Sequence, residues 1–212
     1  MKEMKSLASL ASLALLAGVV LAAAFAAPAA SAQAPAGSTP PAGTASPAAG
    51  AAPPTELPKP SPALDQLKFF AGTWSCTGTA WVNGKEHKTT AKVTMGWDLN
   101  GFFMNLRYQE RKTAANPMPL TAVEHWGYSD ELKQLVAGQV DSMGGYGTQA
   151  TAGWEGETMV WTGQTHVMGM KAPTRDTFVK KGDSGVTHLG EIQTDGTWVK
   201  QDEETCKRAA KK

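Results

Sequence analysis

The sequence predicts an all-β fold, a single antiparallel up-and-down β-barrel of about ten strands that follows an export signal and a linker. Three observations predict it. From position 73 onward, apolar and polar residues alternate in short runs. Asn-Gly at 83–84 and 100–101 and Asp-Gly at 195–196 separate runs, and such pairs favour tight hairpin turns. No stretch of useful length has the helical period, and a sheet of so many strands removes its exposed edges by closing.

Residues 1–32 predict a signal peptide. Lys2 and Lys5 precede an apolar run at positions 7–26, and the Ala-Ser-Ala at positions 30–32 has the small-x-small pattern of a cleavage site. We therefore expect an exported protein, periplasmic or secreted, with no stable membrane insertion after cleavage. The alternative is an uncleaved anchor, because the apolar run approaches the ~20 residues that span a bilayer.

Residues 33–62 consist almost wholly of Ala, Pro, Gly, Ser and Thr. Such a segment has too few apolar side chains to offset the entropy of ordering it, so it predicts a disordered linker. Residues 63–212 remain for one barrel domain, and a chain of about 150 residues buries roughly 68–70% of its unfolded surface.

The predicted strands are short and regularly spaced. A helical turn over residues 61–70 leads into the first of them. Trp74 falls on the apolar face of that strand, where we expect its indole to plug one end of the barrel and donate to a nearby carbonyl oxygen. The strands are predicted at about residues 73–82, 86–99, 102–110, 120–128, 133–141, 146–154, 158–167, 173–180, 186–193 and 196–207.

Several stretches of the domain resemble known families. Gly-Thr-Trp at positions 72–74 resembles the Gly-x-Trp signature of lipocalins. "LKFFAGTWSCTG", "LNGFFMNLRYQE", "WGYSDELKQLVAGQVDSMGG" and "DGTWVKQDEETCKR" resemble an uncharacterised family of mostly exported bacterial proteins, the domain of unknown function 1579. The departures are Ser129 and Gln139, where that family more often has Asp and Trp. The resemblance implies a lipocalin-like, or calycin-like, barrel and no established activity.

The two cysteines lie in the first and last predicted strands, Cys76 and Cys206. An up-and-down barrel closes by pairing these strands, and thiols of an exported protein are normally oxidised, so we predict a disulfide. A metal or redox pair is the alternative, although no CxxC spacing is present. Cys206 shares its predicted face with charged residues, whereas Cys76 shares its face with apolar ones. This mismatch predicts either a bulge that shifts the register or a bond at the point where the strands leave the barrel.

Charge and motifs exclude several functions. The formal net charge is +1, with no basic footprint for nucleic acid. Gly-Asp-Ser-Gly at positions 182–185 matches the serine stretch of trypsin-like proteases, but the Ala-Ala-His-Cys stretch of those enzymes is absent, and a hairpin turn explains it better. The four histidines are isolated from one another in the sequence. We therefore predict no catalytic residues and no cofactor.

The preferred interpretation is non-catalytic binding of a small apolar or amphipathic molecule inside the barrel. The alternative is a structural or interaction domain whose core is filled by its own side chains. Aromatic residues, and polar residues with apolar neighbours in their strands, are the predicted lining: Trp74, Phe103, Arg107, Trp126, Asp141, Trp161, Arg175 and Glu204.

A further alternative is a periplasmic Cu(I)-binding protein, with His166, Met168 and Met170 as the ligands. On an extended strand these three alternate onto one face, and imidazole with two thioethers suits Cu(I). The competing interpretation is that Met168-Gly169-Met170 forms a hairpin tip and the methionines cover the barrel mouth.

Overall fold

The computed structural model describes residues 56, 58–82, 84–167 and 169–210. The predicted signal peptide and most of the predicted linker lie outside the described residues. The elements are a 3-10 helix (Pro62–Phe70), β1 (Gly72–Val82), β2 (Lys85–Asp98), a short 3-10 helix (Leu99–Gly101), β3 (Phe103–Glu110), β4 (Thr121–Ser129), β5 (Gln134–Asp141), β6 (Tyr146–Thr151), β7 (Trp154–Glu155), β8 (Thr158–Val167), β9 (Met170–Lys180), β10 (Gly185–Thr194) and β11 (Thr197–Arg208).

The strands form one closed antiparallel barrel, as predicted. Each long strand pairs with the next along the chain, β6 pairs with β8, and β1 pairs with β11 to complete the ring. Ten strands thus make the wall, while the two-residue β7 pairs only with the start of β8. Closure leaves no long strand edge of this ring unpaired.

The closing seam between β1 and β11 holds the predicted disulfide. Cys76 lies directly opposite Cys206 in the register, and the two sulfur atoms are bonded. The bond does not lie where the strands leave the barrel, but β11 does contain a register shift, the other predicted explanation, at a distance from the cysteines. Pairing runs unbroken from Trp74 to Ala80, and the shift in β11 falls farther along, opposite Gly190 and Glu191. The charged neighbours of Cys206 on β11 therefore point into the barrel.

The 3-10 helix closes one end of the barrel. Ser61 caps it by accepting a hydrogen bond from the Ala63 N–H at 3.3 Å, and Leu64, Leu67 and Phe70 bury its inner side. The indole N–H of Trp74 donates to the Phe70 carbonyl oxygen at 2.8 Å, which confirms the predicted role of this tryptophan.

Arg208, in the last strand, fastens the same end. Its guanidinium lies 4.2 Å from the centre of the Trp74 ring and donates to the carbonyl oxygens of Phe69 and Ala71. The last strand, the first strand and the helix are thereby joined at one point.

An aromatic cluster fills this half of the interior. Phe70 contacts Trp126, Trp154 and Phe178 with ring centres 5.1–5.4 Å apart, and Trp161 lies 4.9 Å from Trp126. Each such aromatic pair contributes about 0.5–1.5 kcal/mol beyond its area burial. We call Phe70, Trp74, Trp126 and Phe178 the aromatic floor.

No helix within the described ranges is long and apolar enough to cross a lipid bilayer.

The disulfide supplies a stability prediction. It links residues 130 positions apart, and on the chain-entropy model closing such a loop stabilises the fold by about 4–5 kcal/mol. Replacing both Cys76 and Cys206 by Ala should lower the free energy of unfolding in urea by roughly 3–5 kcal/mol. Adding reductant should lower the wild-type value similarly and leave the variant unchanged. Equal stability of the variant and the oxidised wild type would show that the disulfide does not stabilise the fold.

Candidate ligand cavity

The half of the barrel opposite the helix is open and contains a cavity of about 920 Å³. The aromatic floor forms its base. A group of polar side chains, here called the belt, encircles the wall above the floor. The belt consists of Thr89, Tyr108, Glu124, Gln149, Asp176, His188, Asp202 and Glu204.

His188 is the centre of the belt. Its Nε2 lies 2.9 Å from Oδ1 of Asp176 and its Nδ1 lies 3.0 Å from Oδ1 of Asp202. Burial alone would lower the pKa of His188, but the charge of Asp202 and the hydrogen bonds to both aspartates raise that pKa well above its usual value. The ring is therefore an imidazolium at neutral pH, and it stacks on Phe178 with ring centres 4.6 Å apart.

Glu124 lies on β4 and is tied to the aromatic floor. Its Oε2 accepts a hydrogen bond from the indole N–H of Trp126 at 2.7 Å. Burial raises the pKa of Glu124 to about 7, and this effect outweighs the hydrogen bond from Trp126, which lowers it. Near neutral pH this carboxyl group thus changes charge readily.

Glu204 lies on β11, two residues before Cys206. Its Oε1 accepts hydrogen bonds from the Tyr108 hydroxyl at 2.7 Å and the Thr89 hydroxyl at 3.4 Å. Burial raises the pKa of Glu204, although the hydrogen bond from Tyr108 opposes the rise. Burial and the nearby Glu204 also raise the pKa of Tyr108, so its hydroxyl remains a donor.

Large apolar side chains lie at the mouth of the cavity. Several large apolar side chains line the cavity there and remain largely exposed, although such residues usually avoid water. We call this set the rim: Met118, Val140, Met143, Met170 and Val199.

Four of the predicted lining residues do line the cavity: Trp74, Trp126, Asp141 and Glu204. Trp74 and Trp126 belong to the floor and Glu204 to the belt. Asp141 lies at the mouth, where its Oδ1 accepts hydrogen bonds from the backbone N–H groups of Met143 and Gly145 at 2.7 and 3.0 Å. Its carboxylate thus already holds the β5–β6 turn.

Phe103 and Arg107 lie outside the cavity because Met104 and Leu106, at the alternate positions of β3, point inward. The Phe103 ring covers Gly127 on the outer surface, where a side chain at Gly127 would collide with it. Arg107 lines a shallow outer groove. The prediction that these two residues line the barrel is wrong, since alternation along one strand does not show which face is inside.

Arg175 and Trp161 also do not line the cavity. Arg175 faces outward, where it forms an ion pair with Glu191 at 2.6 Å and covers the Trp198 ring at 4.4 Å. Trp161 points inward but is only 1% exposed, because it is packed against Trp126 in the filled half.

The proposed copper ligands are not gathered on one face. Met168 lies outside the described residues. Val167 pairs with Met170 and His166 pairs with Lys171, so His166 and Met170 point to opposite faces of the β8–β9 hairpin. His166 stacks on Tyr146 with ring centres 4.3 Å apart, and Met170 belongs to the rim. The shared face predicted for this pair is wrong.

The sequence interpretation missed most of the belt, including Tyr108, Glu124, Asp176, His188 and Asp202. One signal for it was available: a disulfide inside the barrel places residues two and four positions before Cys206 inside as well. The belt residues on β4, β9 and β10 had no comparable marker.

Comparison with known proteins supports the fold. No family model matches the chain, and no curated protein matches it. The barrel is similar to the crystal structure of Rv2717c from M. tuberculosis, with a TM-score of 0.57 and 11% sequence identity. The similarity covers 72% of this chain and 100% of that chain.

The shifted pKa values of the belt predict how the free energy of unfolding depends on pH. Unfolded Glu124 loses its proton near its usual pKa of 4.5, whereas in the folded barrel it holds the proton until about pH 7. The folded state therefore binds more protons between these values, and the free energy of unfolding should fall as pH rises through this window. The raised pKa of Glu204 acts in the same direction, and that of His188 does so at pH values above its usual pKa of 6.5.

Glu124→Gln isolates one contribution because Gln keeps an acceptor for the Trp126 N–H. At about pH 8 the variant should be more stable than the wild type by roughly 1–2 kcal/mol, less than the full shift would give because the cavity is open to solvent. At about pH 5 the two should be equally stable in urea unfolding. A variant that is less stable at the higher pH would show that the charged carboxylate is favourable there.

Proposed function

We propose that the barrel is an exported binding module that holds a small amphipathic molecule without changing it chemically. The observation that carries the proposal is the cavity, about 920 Å³ in volume and lined by apolar walls with a compact set of polar groups. Cavities of about 300–1,000 Å³ with this composition are typical of small-molecule sites. The open half of the barrel also argues against the alternative of a wholly filled core.

The layering of the cavity favours one orientation of the ligand. Polar side chains lie deep, directly above the aromatic floor, whereas the rim at the mouth is apolar. A head group that enters first can exchange hydrogen bonds with the belt, while an apolar tail covers the exposed Met and Val side chains of the rim. Covering that surface removes apolar area from water and stabilises the complex by about 25 cal/mol per Å².

The state of His188 and of the two cysteines supports binding rather than catalysis. A general base needs a nitrogen or oxygen atom free to take a proton. Both ring nitrogens of His188 contact aspartate carboxylates, and the two cysteines of the wall are bonded to each other. These groups can position a ligand but are poorly placed to attack one.

Export is part of the proposal and is supported separately. The first 32 residues have the pattern of a signal peptide. The bond between Cys76 and Cys206 suits an oxidising compartment outside the cytoplasm.

Blocking the cavity tests this function. Ala122 lines the cavity, whereas its neighbour Val123 lines the outer groove. Ala122→Trp should weaken binding of the neutral fluorescent probe N-phenyl-1-naphthylamine by about tenfold or more, because the indole occupies the space above Glu124. The probe can be followed by energy transfer from the floor tryptophans.

Val123→Trp is the matched control, since it adds the same side chain to the outer surface. It should bind the probe as the wild type does, and circular dichroism should show both variants folded. Equal probe affinity in folded Ala122→Trp and wild type would exclude the cavity as the binding site. Native mass spectrometry of the protein from its own host should show a co-purifying mass that Ala122→Trp lacks.

A further inference from the structure

We propose that the cavity selects ligands whose head group is a cation, an alkyl ammonium or a related amine, which lies between Glu124 and Glu204. This inference rests on the proposed binding function and adds the chemical class of the ligand. Two observations support it. The inner wall of the cavity is acidic, and two of its carboxyl groups have no cationic partner within the described residues.

The belt contains more acidic groups than basic ones. Four carboxyl groups, those of Glu124, Asp176, Asp202 and Glu204, share the wall with one imidazolium, that of His188. Asp176 and Asp202 both contact this imidazolium. The belt thus already holds one buried cation between two carboxylates and against an aromatic ring.

Glu124 and Glu204 have neutral partners instead. Glu124 accepts from the Trp126 indole, and Glu204 accepts from the Tyr108 and Thr89 hydroxyls. Within the described ranges, no Lys, Arg or His nitrogen lies within 4.0 Å of either carboxyl group. Each carboxylate has further acceptor capacity facing the cavity, and a buried carboxylate without a counter-charge is costly.

The other basic side chains of the cavity lining do not supply that counter-charge. His87 has its Nδ1 3.4 Å from the Ala115 carbonyl oxygen and forms no ion pair with Glu124 or Glu204. Among the described lining residues, Lys200 is the only lysine or arginine. Its Nζ lies 2.6 Å from Oε2 of Glu203 and 5.2 Å from the centre of the Trp81 ring, so it is engaged at the mouth. A ligand cation is therefore the partner that the wall lacks, and a carboxylate head group would meet like charge.

Binding of a cation should be coupled to loss of a proton. The charged and titratable groups around Glu124 are Asp176, His188 and Asp202, and those around Glu204 are Tyr108, His188, Asp202 and Glu110. An ammonium group favours the ionised form of both glutamates, so it must displace the proton that burial retains on Glu124. Affinity for a cation should rise as pH increases through about 7, opposite to the trend of stability.

Three probes of equal chain length test the proposal by displacement of N-phenyl-1-naphthylamine from the wild-type protein. Decylamine, 1-decanol and sodium decanoate differ only in the head group. At about pH 8 decylamine should bind roughly tenfold more tightly than 1-decanol, and decanoate should bind most weakly. Decylamine affinity should rise between about pH 6 and pH 8, where the amine itself stays protonated because its pKa is near 10.

Variants identify the groups responsible. Glu124→Gln combined with Glu204→Gln keeps both hydrogen-bond acceptors and should reduce the decylamine-to-decanol affinity ratio to about one. The matched control is Glu131→Gln combined with Glu157→Gln, which removes the same charge from two exposed positions outside the cavity and should keep the ratio. If the double belt variant does not fold, Glu124→Gln alone should lower the ratio and abolish most of its pH dependence.

The outcomes separate the two proposals. If decanol and the fluorescent probe bind but decylamine has no advantage, or if decanoate binds best, the cation inference is overturned while the binding function stands. Preference for decylamine that persists in the belt variants would also overturn it. If none of the probes binds the folded wild-type protein, the binding function itself fails.

Discussion

The pairing of β1 with β11 is the constraint on which the rest of the structure depends. Because the side chains of a strand alternate between the two faces, placing Cys206 opposite Cys76 inside the wall also places Glu204 and Asp202 inside. Charged residues that on an open sheet would face water are thus held in the barrel. Arg208, at the end of the same strand, is fastened to Trp74 and to the helix. The seam therefore closes the barrel and supplies two of the carboxyl groups of its cavity.

Floor and belt are coupled through individual side chains. Trp126 packs on Phe70 with its ring and donates to Glu124 with its indole N–H. Phe178 packs on Phe70 and also stacks on His188. Each of these aromatic residues packs against the dry core on one side and contacts a polar group of the wet cavity on the other. Substitutions in the floor are accordingly expected to change the charges of the belt as well as the packing.

Much of the fold could be predicted from the sequence, and less of the site. Strand boundaries followed from alternation and turn residues, and the place of Trp74 followed from its position at the start of β1. The site was harder because alternation gives two faces but not which of them is inside. Phe103 and Arg107 were therefore assigned to the wrong face. In the sequence His188 is distant from Asp176 and Asp202, which contact it from the two neighbouring strands. This proximity can be predicted only once the register of the sheet is known.

The raised pKa values of the belt bear on why these residues are present. Glu124 and Glu204 are harder to ionise in the folded barrel than in the unfolded chain, so their ionisation at higher pH weakens folding, whereas His188 is stabilised as a cation by its two aspartates. Apolar side chains of similar size would fill the same space without this cost, and replacing buried charges in that way often stabilises a protein. Local features that reduce stability tend to lie at functional sites. The belt lowers the stability of the fold and leaves two carboxyl groups without a cationic partner. Such an arrangement is better explained as part of a binding site than as part of a core. A bound cation would offset the free energy that ionising these two groups costs the ligand-free protein.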